Sequence, residues 1–252
     1  MTQKLREYFN EGFKRVDGWV AESVFPVLTI LNDAAVRHRI KGGCCEIGVH
    51  HGRFYLALLA LADDGAKSLA IDLFGEQALN IDRSGRGDKE QFLLNITKWA
   101  TPGAVSEILE IDSLALSVHD IVKLQQQFGR FKVFSVDGGH TRDHALNDML
   151  VAQELTLNGG LIIVDDFFHP DWPGVTEGVS RYFGMSNAKF APLCIAGGKL
   201  FLTSISYHQS HLSELHSRLI QNHPKSPIKS VTIHGWQAFS FRLAPGEPVM
   251  GV

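Results

Sequence analysis

Two periods alternate along the chain. Short runs of β-branched, aromatic and aliphatic residues at 44–49, 68–71, 105–111, 131–136 and 161–164 have the length and composition of strands. Between them, apolar residues recur every three or four positions and predict helices over 54–61, 91–99, 118–128 and 143–157. The last carries Leu146, Met149 and Leu150 before Asn158-Gly159-Gly160 stops the pattern. A helical crossover makes the strands it joins parallel neighbours, so the alternation predicts an α/β fold with a doubly wound, mostly parallel sheet. A helix over 175–183 follows, then two strands around 193–195 and 199–203 joined by Ala196-Gly197-Gly198, which predict a terminal antiparallel hairpin.

Two helices are predicted ahead of the sheet. The first, over 4–16, spaces Leu5, Phe9 and Phe13 by four; the second, over 23–38, opens on the candidate cap Ser23 and aligns Val24, Leu28, Leu31 and Ala35. They are expected to cover one sheet face or the mouth of a site. A helix over 208–223 and strands at 230–233 and 238–241 form a tail, expected to add a small sheet or a contact with a second copy of the chain. The chain thus divides into a helical segment (1–40), an α/β core (41–206) and a tail (207–252).

Composition acts mainly by exclusion. With 252 residues, 44% of them hydrophobic, the chain can bury a full core, and a net charge of -3 gives no footprint for nucleic acid or an anionic membrane. No apolar run is long enough to span a bilayer and no hydrophobic signal core follows Met1, so a cytoplasmic protein with small-molecule partners is expected. Cys44, Cys45 and Cys194 suit neither a disulfide framework nor a zinc ribbon and read as core thiols. His208, His211, His216, His223 and His234 read as surface residues of the tail.

The chemistry concentrates where apolar runs end in acid. Val136 leads into Asp137-Gly138-Gly139-His140 and Val164 into Asp165-Asp166, and parallel strands deliver all of these to one sheet edge. Like charges raise one another's pKa unless a cation sits among them; a divalent metal is the simplest remedy, and oxygen ligands favour Mg²⁺, Mn²⁺ or Ca²⁺ over zinc. Caps and solvated carboxylates are the alternative reading. Upstream, Glu46-Ile47-Gly48 leads through His50-His51 to Gly52 and a helix. Gly48 permits a tight turn and Gly52 lets the helix start approach a ligand. This is not the Gly-x-Gly-x-x-Gly of a dinucleotide site, and an acid before the turn repels a pyrophosphate but suits an ammonium or sulfonium, which points to S-adenosylmethionine. A generic strand-to-helix turn is the other reading. Asp72, ending the second strand, is placed to accept ribose hydroxyls. Asp112, with Ser113, is placed either to hold an adenine amino group or to cap a helix. Loops at 76–89 and 167–174 fall on the same edge, as lids or as plain connections.

In this order, Glu46-Ile-Gly48-Val-His-His-Gly52, Asp72-Leu-Phe74, Ile111-Asp112-Ser113, Val136-Asp137-Gly138-Gly139-His140 and Val164-Asp165-Asp166 resemble the motifs of the class I S-adenosylmethionine-dependent methyltransferases. The likeness is to their metal-dependent small-molecule and sugar O-methyltransferases of the macrocin, mycinamicin and novobiocic-acid type, and it covers about 44–203. It implies a Rossmann-like fold, cofactor contacts from Glu46, Gly48, Gly52, Asp72, Phe74, Asp112, Ser113 and Asp137, and Mg²⁺ or Mn²⁺ held by Asp137, Asp165 and Asp166. Gly139 departs from the pattern, since many relatives carry a second aspartate there. That puts the role of base on His140, with Asp137 beside it. The expected reaction is methylation of a hydroxylated small molecule, the metal acidifying the hydroxyl and His140 taking its proton; alternatively His140 only orients Asp137 or caps the next helix. A metal-independent methyltransferase, a nicotinamide-dependent oxidoreductase and a non-catalytic cofactor-binding protein are the competing readings.

Overall fold

The computed structural model describes residues 3–81 and 83–249. Its centre is one nine-stranded sheet in the order β3-β2-β1-β4-β5-β7-β6-β9-β8, formed by β1 (Cys44–Ile47), β2 (Leu69–Asp72), β3 (Glu107–Glu110), β4 (Phe131–Val136), β5 (Thr156–Val164), β6 (Phe190–Ala196), β7 (Lys199–Ser204), β8 (Ile228–Ile233) and β9 (Trp236–Phe241). The first five strands are mutually parallel. Antiparallel β7 then enters beside β5, with Val164 opposite Leu200, and β6 lies outside it. The predicted hairpin is present, inserted in reverse order.

Alternation along the strands supplies two cores. Leu161 and Ile163 of β5 face one layer, and Ile162 and Val164 the other. The first layer contains α1 (Gln3–Glu7), α2 (Val24–Arg37), α3 (Arg53–Leu59), α4 (Lys89–Trp99) and α8 (His208–Asn222); the second contains α5 (Val118–Phe128), α6 (Arg142–Leu155) and α7 (Pro173–Phe183). Cys44, Cys45 and Cys194 are free and buried, as their setting predicts.

Several expectations need revision. The first helix runs only to Glu7 and continues as a π-turn over Tyr8–Gly12, where a Cβ on Gly12 would stand 2.5 Å from the Tyr8 ring. The helical pattern stops at Leu155, ahead of Asn158-Gly159-Gly160, which lies within β5 with Gly159 at φ +81°. The tail builds no sheet of its own: β9 pairs in parallel with β6 and extends the main sheet. Packing of α8 against α2 and β6 buries His208, His211 and His223, leaving only His216 and His234 of the five exposed. Among the described residues no helix is long and apolar enough to cross a membrane.

Candidate active site

The carboxyl ends of β1, β2, β4 and β5 open onto one cleft of about 520 Å³, lined by residues that end or follow each of these strands. That volume suits small organic ligands, and the position is where the strand order reverses direction about β1.

The turn after β1 is dictated by sterics. Gly48 has φ +84°, and a Cβ there would stand 1.8 Å from the Asp137 carbonyl oxygen, so only glycine lets this turn pass the end of β4. Just beneath it, Glu46 lines the cleft yet is 1% exposed, and neither carboxylate oxygen has a hydrogen-bond partner. Burial pushes its carboxyl up to about 8, with Lys199 opposing the shift. A buried carboxylate facing a cleft, with only the Ser135 hydroxyl and the charge of Lys199 to offset its burial, fits a ligand that brings its own cationic donor.

Asp72 accepts the backbone N–H groups of His50 at 2.8 Å and Phe74 at 2.7 Å, while burial raises its pKa against them. A carboxylate has about four acceptor positions, so capacity for ligand hydroxyls remains. Asp112 lines the cleft and also caps: its Oδ1 accepts the Leu114 N–H at 2.9 Å and lies 3.3 Å from His144 Nε2. Ser113 lines the cleft too, with its carbonyl accepting from Asn147 Nδ2. Gly52 and Phe74 do not line the cleft. A Cβ on Gly52 would meet the Phe92 ring at 3.2 Å, and the buried Phe74 ring lies 5.5 Å from the same ring, so both shape the packing behind the site.

The acid cluster does not gather around one empty point. Lys199, first residue of β7, places Nζ 2.5 Å from Asp165 Oδ2 and 3.2 Å from Asp137 Oδ2, with its ammonium 4.5 Å from the centre of the Phe54 ring. The lysine is 1% exposed. Burial disfavours its charge, but Asp137 and Asp165 outweigh that and raise its pKa. Burial would likewise raise Asp165, yet Lys199 holds it below the ordinary carboxylate range. Asp137 is driven well above that range by burial and then by the charge of Asp165. The expected metal set of Asp137, Asp165 and Asp166 is therefore split, because Asp165 turns to the lysine. The grouping that can hold an ion among the described residues is Asp137, His140 and Asp166, each offering a ligand atom within 4.8 Å of the others.

His140 sits above this pair of acids. Its Nε2 lies 3.1 Å from Asp166 Oδ2, its Nδ1 lies 2.9 Å from the Ser84 hydroxyl, and its ring stacks on Trp172. Asp166 reaches it from a left-handed backbone conformation, φ +55°, stabilised by its own N–H donating to Asp165 Oδ1 at 2.9 Å. Both loops foreseen at this edge take part, 76–89 through Leu79, Ile81 and Ser84, and 167–174 through His169 and Trp172. The two N-terminal helices pack on one sheet face, and the link between them lines the mouth through Asp17, Gly18, Trp19 and Val20. Trp19, Leu79 and Ile81 are exposed and give the rim an apolar character.

Lys199, His144, Ser84 and Trp19 are the site residues that the sequence reading passed over. Lys199 had a signal: it is the single charged residue between Phe190 and Ser204, in a run otherwise fit for burial. Ser84 lies in a loop foreseen at this edge, but nothing local singles it out within that loop, and Trp19 lies in the irregular link between two predicted helices.

Residues 45–167 match the family described as a methyltransferase domain. No curated protein sequence matches the chain. Among solved structures, the O-methyltransferase NovP is 15% identical, with 71% of this chain and 78% of that one covered at a TM-score of 0.56. CalS11, a TDP-rhamnose 3'-O-methyltransferase of calicheamicin biosynthesis, is 16% identical over 79% and 86% at 0.51. TomG from Streptomyces achromogenes, an O-methyltransferase of tomaymycin synthesis in complex with S-adenosylmethionine, is 16% identical over 81% and 90% at 0.50. At these identities the structures establish a shared fold, and the family match covers just under half of the chain.

Proposed function

We infer that this class I, S-adenosylmethionine-dependent methyltransferase alkylates a hydroxyl oxygen of a small-molecule acceptor. The observation that carries the cofactor assignment is Glu46: a buried, partnerless carboxylate beneath a glycine turn suits the ammonium of the methionine moiety. Asp72 has acceptor capacity for ribose hydroxyls, and Asp112 and Ser113 border the part of the cleft left for adenine. When bound, S-adenosylmethionine supplies an electrophilic methyl carbon and a neutral thioether leaving group.

The remaining work falls to this chain's own residues. A hydroxyl is a weak nucleophile at neutral pH, and His140 is the base within reach of the cleft. The Ser84 hydroxyl already occupies hydrogen-bond distance of Nδ1, which supports an acceptor hydroxyl binding at that nitrogen while Asp166 holds Nε2. His140 would take the acceptor O–H proton at Nδ1, while bound S-adenosylmethionine would supply the methyl group. Trp172 shields one face of the imidazole and, with Trp19, Leu79 and Ile81, offers apolar contact to the acceptor's body. That CalS11 is a TDP-rhamnose 3'-O-methyltransferase, and that TomG is involved in tomaymycin synthesis, supports a sugar or other hydroxylated metabolite as acceptor. A divalent ion, where one is bound, falls to Asp137, His140 and Asp166 and would acidify a bound hydroxyl.

The test is release of S-adenosylhomocysteine from S-adenosylmethionine across a panel of glycosides, catechols and aliphatic diols. Acceptor-dependent product supports the reading. Cofactor binding with no product from any acceptor class would reduce the protein to a cofactor-binding one.

A further inference from the structure

We propose that Lys199 is the resident cation of the acid cluster, occupying the position between Asp137 and Asp165 that a bridging divalent ion would take, so that Asp165 belongs to the protein scaffold and is not a metal ligand. The ammonium lies 2.5 Å and 3.2 Å from one oxygen of each acid. A metal shared by those two oxygens would sit about 2.0–2.6 Å from each, in contact with the ammonium itself. Two cations at such a separation repel far more strongly than the site gains from a second one.

The lysine is also built in place. It follows a turn in which Gly197 and Gly198 both have positive φ, +58° and +86°, and its strand is antiparallel to the one that leads into Asp165. The Phe54 ring presents a π-face to the ammonium on the side the carboxylates leave free. Asp165 is then satisfied from two directions, by Lys199 at Oδ2 and by the Asp166 N–H at Oδ1. Asp166 lies on the other side with His140. Lys199 is thus a positioning residue, which fixes Asp137 where its carbonyl packs against the Gly48 turn. The geometry of the cluster places Lys199 in this role independently of methyl transfer.

The experiment compares the wild-type chain with Asp165→Asn, Asp166→Asn, Lys199→Met and the Asp165→Asn/Lys199→Met double variant, using Mn²⁺ titration followed by electron paramagnetic resonance and thermal unfolding. With Lys199 in place, Asp165→Asn should leave Mn²⁺ affinity within about threefold of wild type, whereas loss of a true ligand such as Asp166 should cost at least about tenfold; absence of Mn²⁺ binding in both wild type and Asp165→Asn also supports the assignment. Lys199→Met should melt below wild type because it strands buried acids, and the double variant should recover part of that loss. A tenfold or greater fall in Mn²⁺ affinity in Asp165→Asn overturns the proposal, as does a double variant no more stable than Lys199→Met. Should Lys199→Met not fold, the Asp165→Asn titration and the folding of the double variant still decide. If S-adenosylmethionine failed to bind while these results held, the functional reading would fall and this one would stand.

Discussion

The imidazole of His140 lies against the indole of Trp172, ring centroids 4.3 Å apart and planes 19° from parallel. With Asp166 at Nε2 and Ser84 at Nδ1, the ring is held on a face and at both nitrogens. A base fixed in this way needs little reorganisation when an acceptor hydroxyl replaces that of Ser84.

Replacing His140 by alanine should lower kcat by about 10²–10⁴-fold, the range typical of a general base. Affinity for S-adenosylmethionine should stay as in wild type, because His140 contacts the acceptor side. Steady-state rates beside calorimetric titration separate the two effects. A kcat within a few-fold of wild type would show that another group takes the proton.

Glu46 makes cofactor binding depend on pH. Its carboxyl, pushed up to about 8, is largely protonated at neutral pH, and a ligand ammonium favours the ionised form. Binding should therefore release a proton, and affinity should climb as pH rises toward about 8 and level off beyond it. Calorimetry in buffers of different ionisation enthalpy reads the proton directly. Glu46→Gln should abolish the pH dependence and weaken binding above pH 8 by about 10–100-fold, the worth of a charge-assisted hydrogen bond.

Asp148 offers a stability test away from the cleft. It is 1% exposed in α6, Oδ2 has no partner, and burial drives its pKa up to about 6. An acid with a raised folded-state pKa binds more protons folded than unfolded, so its contribution is fully present below pH 3.8 and is lost as pH rises to about 6. Asp148→Asn should melt above wild type at pH 7.5, by an amount equivalent to at most about 3 kcal/mol. The gain should vanish near pH 4, and an equal gain at both pH values would contradict the assignment.

Gly48→Ala is predicted to abolish cofactor binding. The methyl group would meet the Asp137 carbonyl oxygen at 1.8 Å at a backbone φ of +84°, and the turn must move away from Asp137 to relieve it. Gly65→Ala is the matched control, since φ is +74° there and nothing lies within 4 Å. Its cofactor affinity should equal that of wild type, and a binding-competent Gly48→Ala would show that the turn does not form the cofactor cradle.

Much of the core was legible because local signals agree with the fold. The predicted limits of α5 and β4 match the structure, since Ser117 and Asp120 form a capping box, Gly129 stops the helix, and an unbroken apolar run follows. Convergence of Asp72, Asp137, Asp165 and Asp166 on one edge followed from parallel crossovers, and the cleft bears it out. Pairings between distant strands left no such mark. The insertion of β7 between β5 and β6 put Lys199 beside Asp165, and no spacing in the sequence records that adjacency. The parallel docking of β9 on β6 and the burial of His208, His211 and His223 are likewise tertiary outcomes.

Calorimetric titration of the purified chain with S-adenosylmethionine, with NAD⁺ as the control ligand and Glu46→Gln as the control protein, tests the central claim most directly. The site described here predicts one equivalent of S-adenosylmethionine bound with micromolar affinity, on the order of -8 kcal/mol, weakened in Glu46→Gln, and no heat from NAD⁺. Binding of NAD⁺ in its place, or no binding of either, would contradict the assignment of the Glu46–Gly48 turn as a sulfonium-cofactor site.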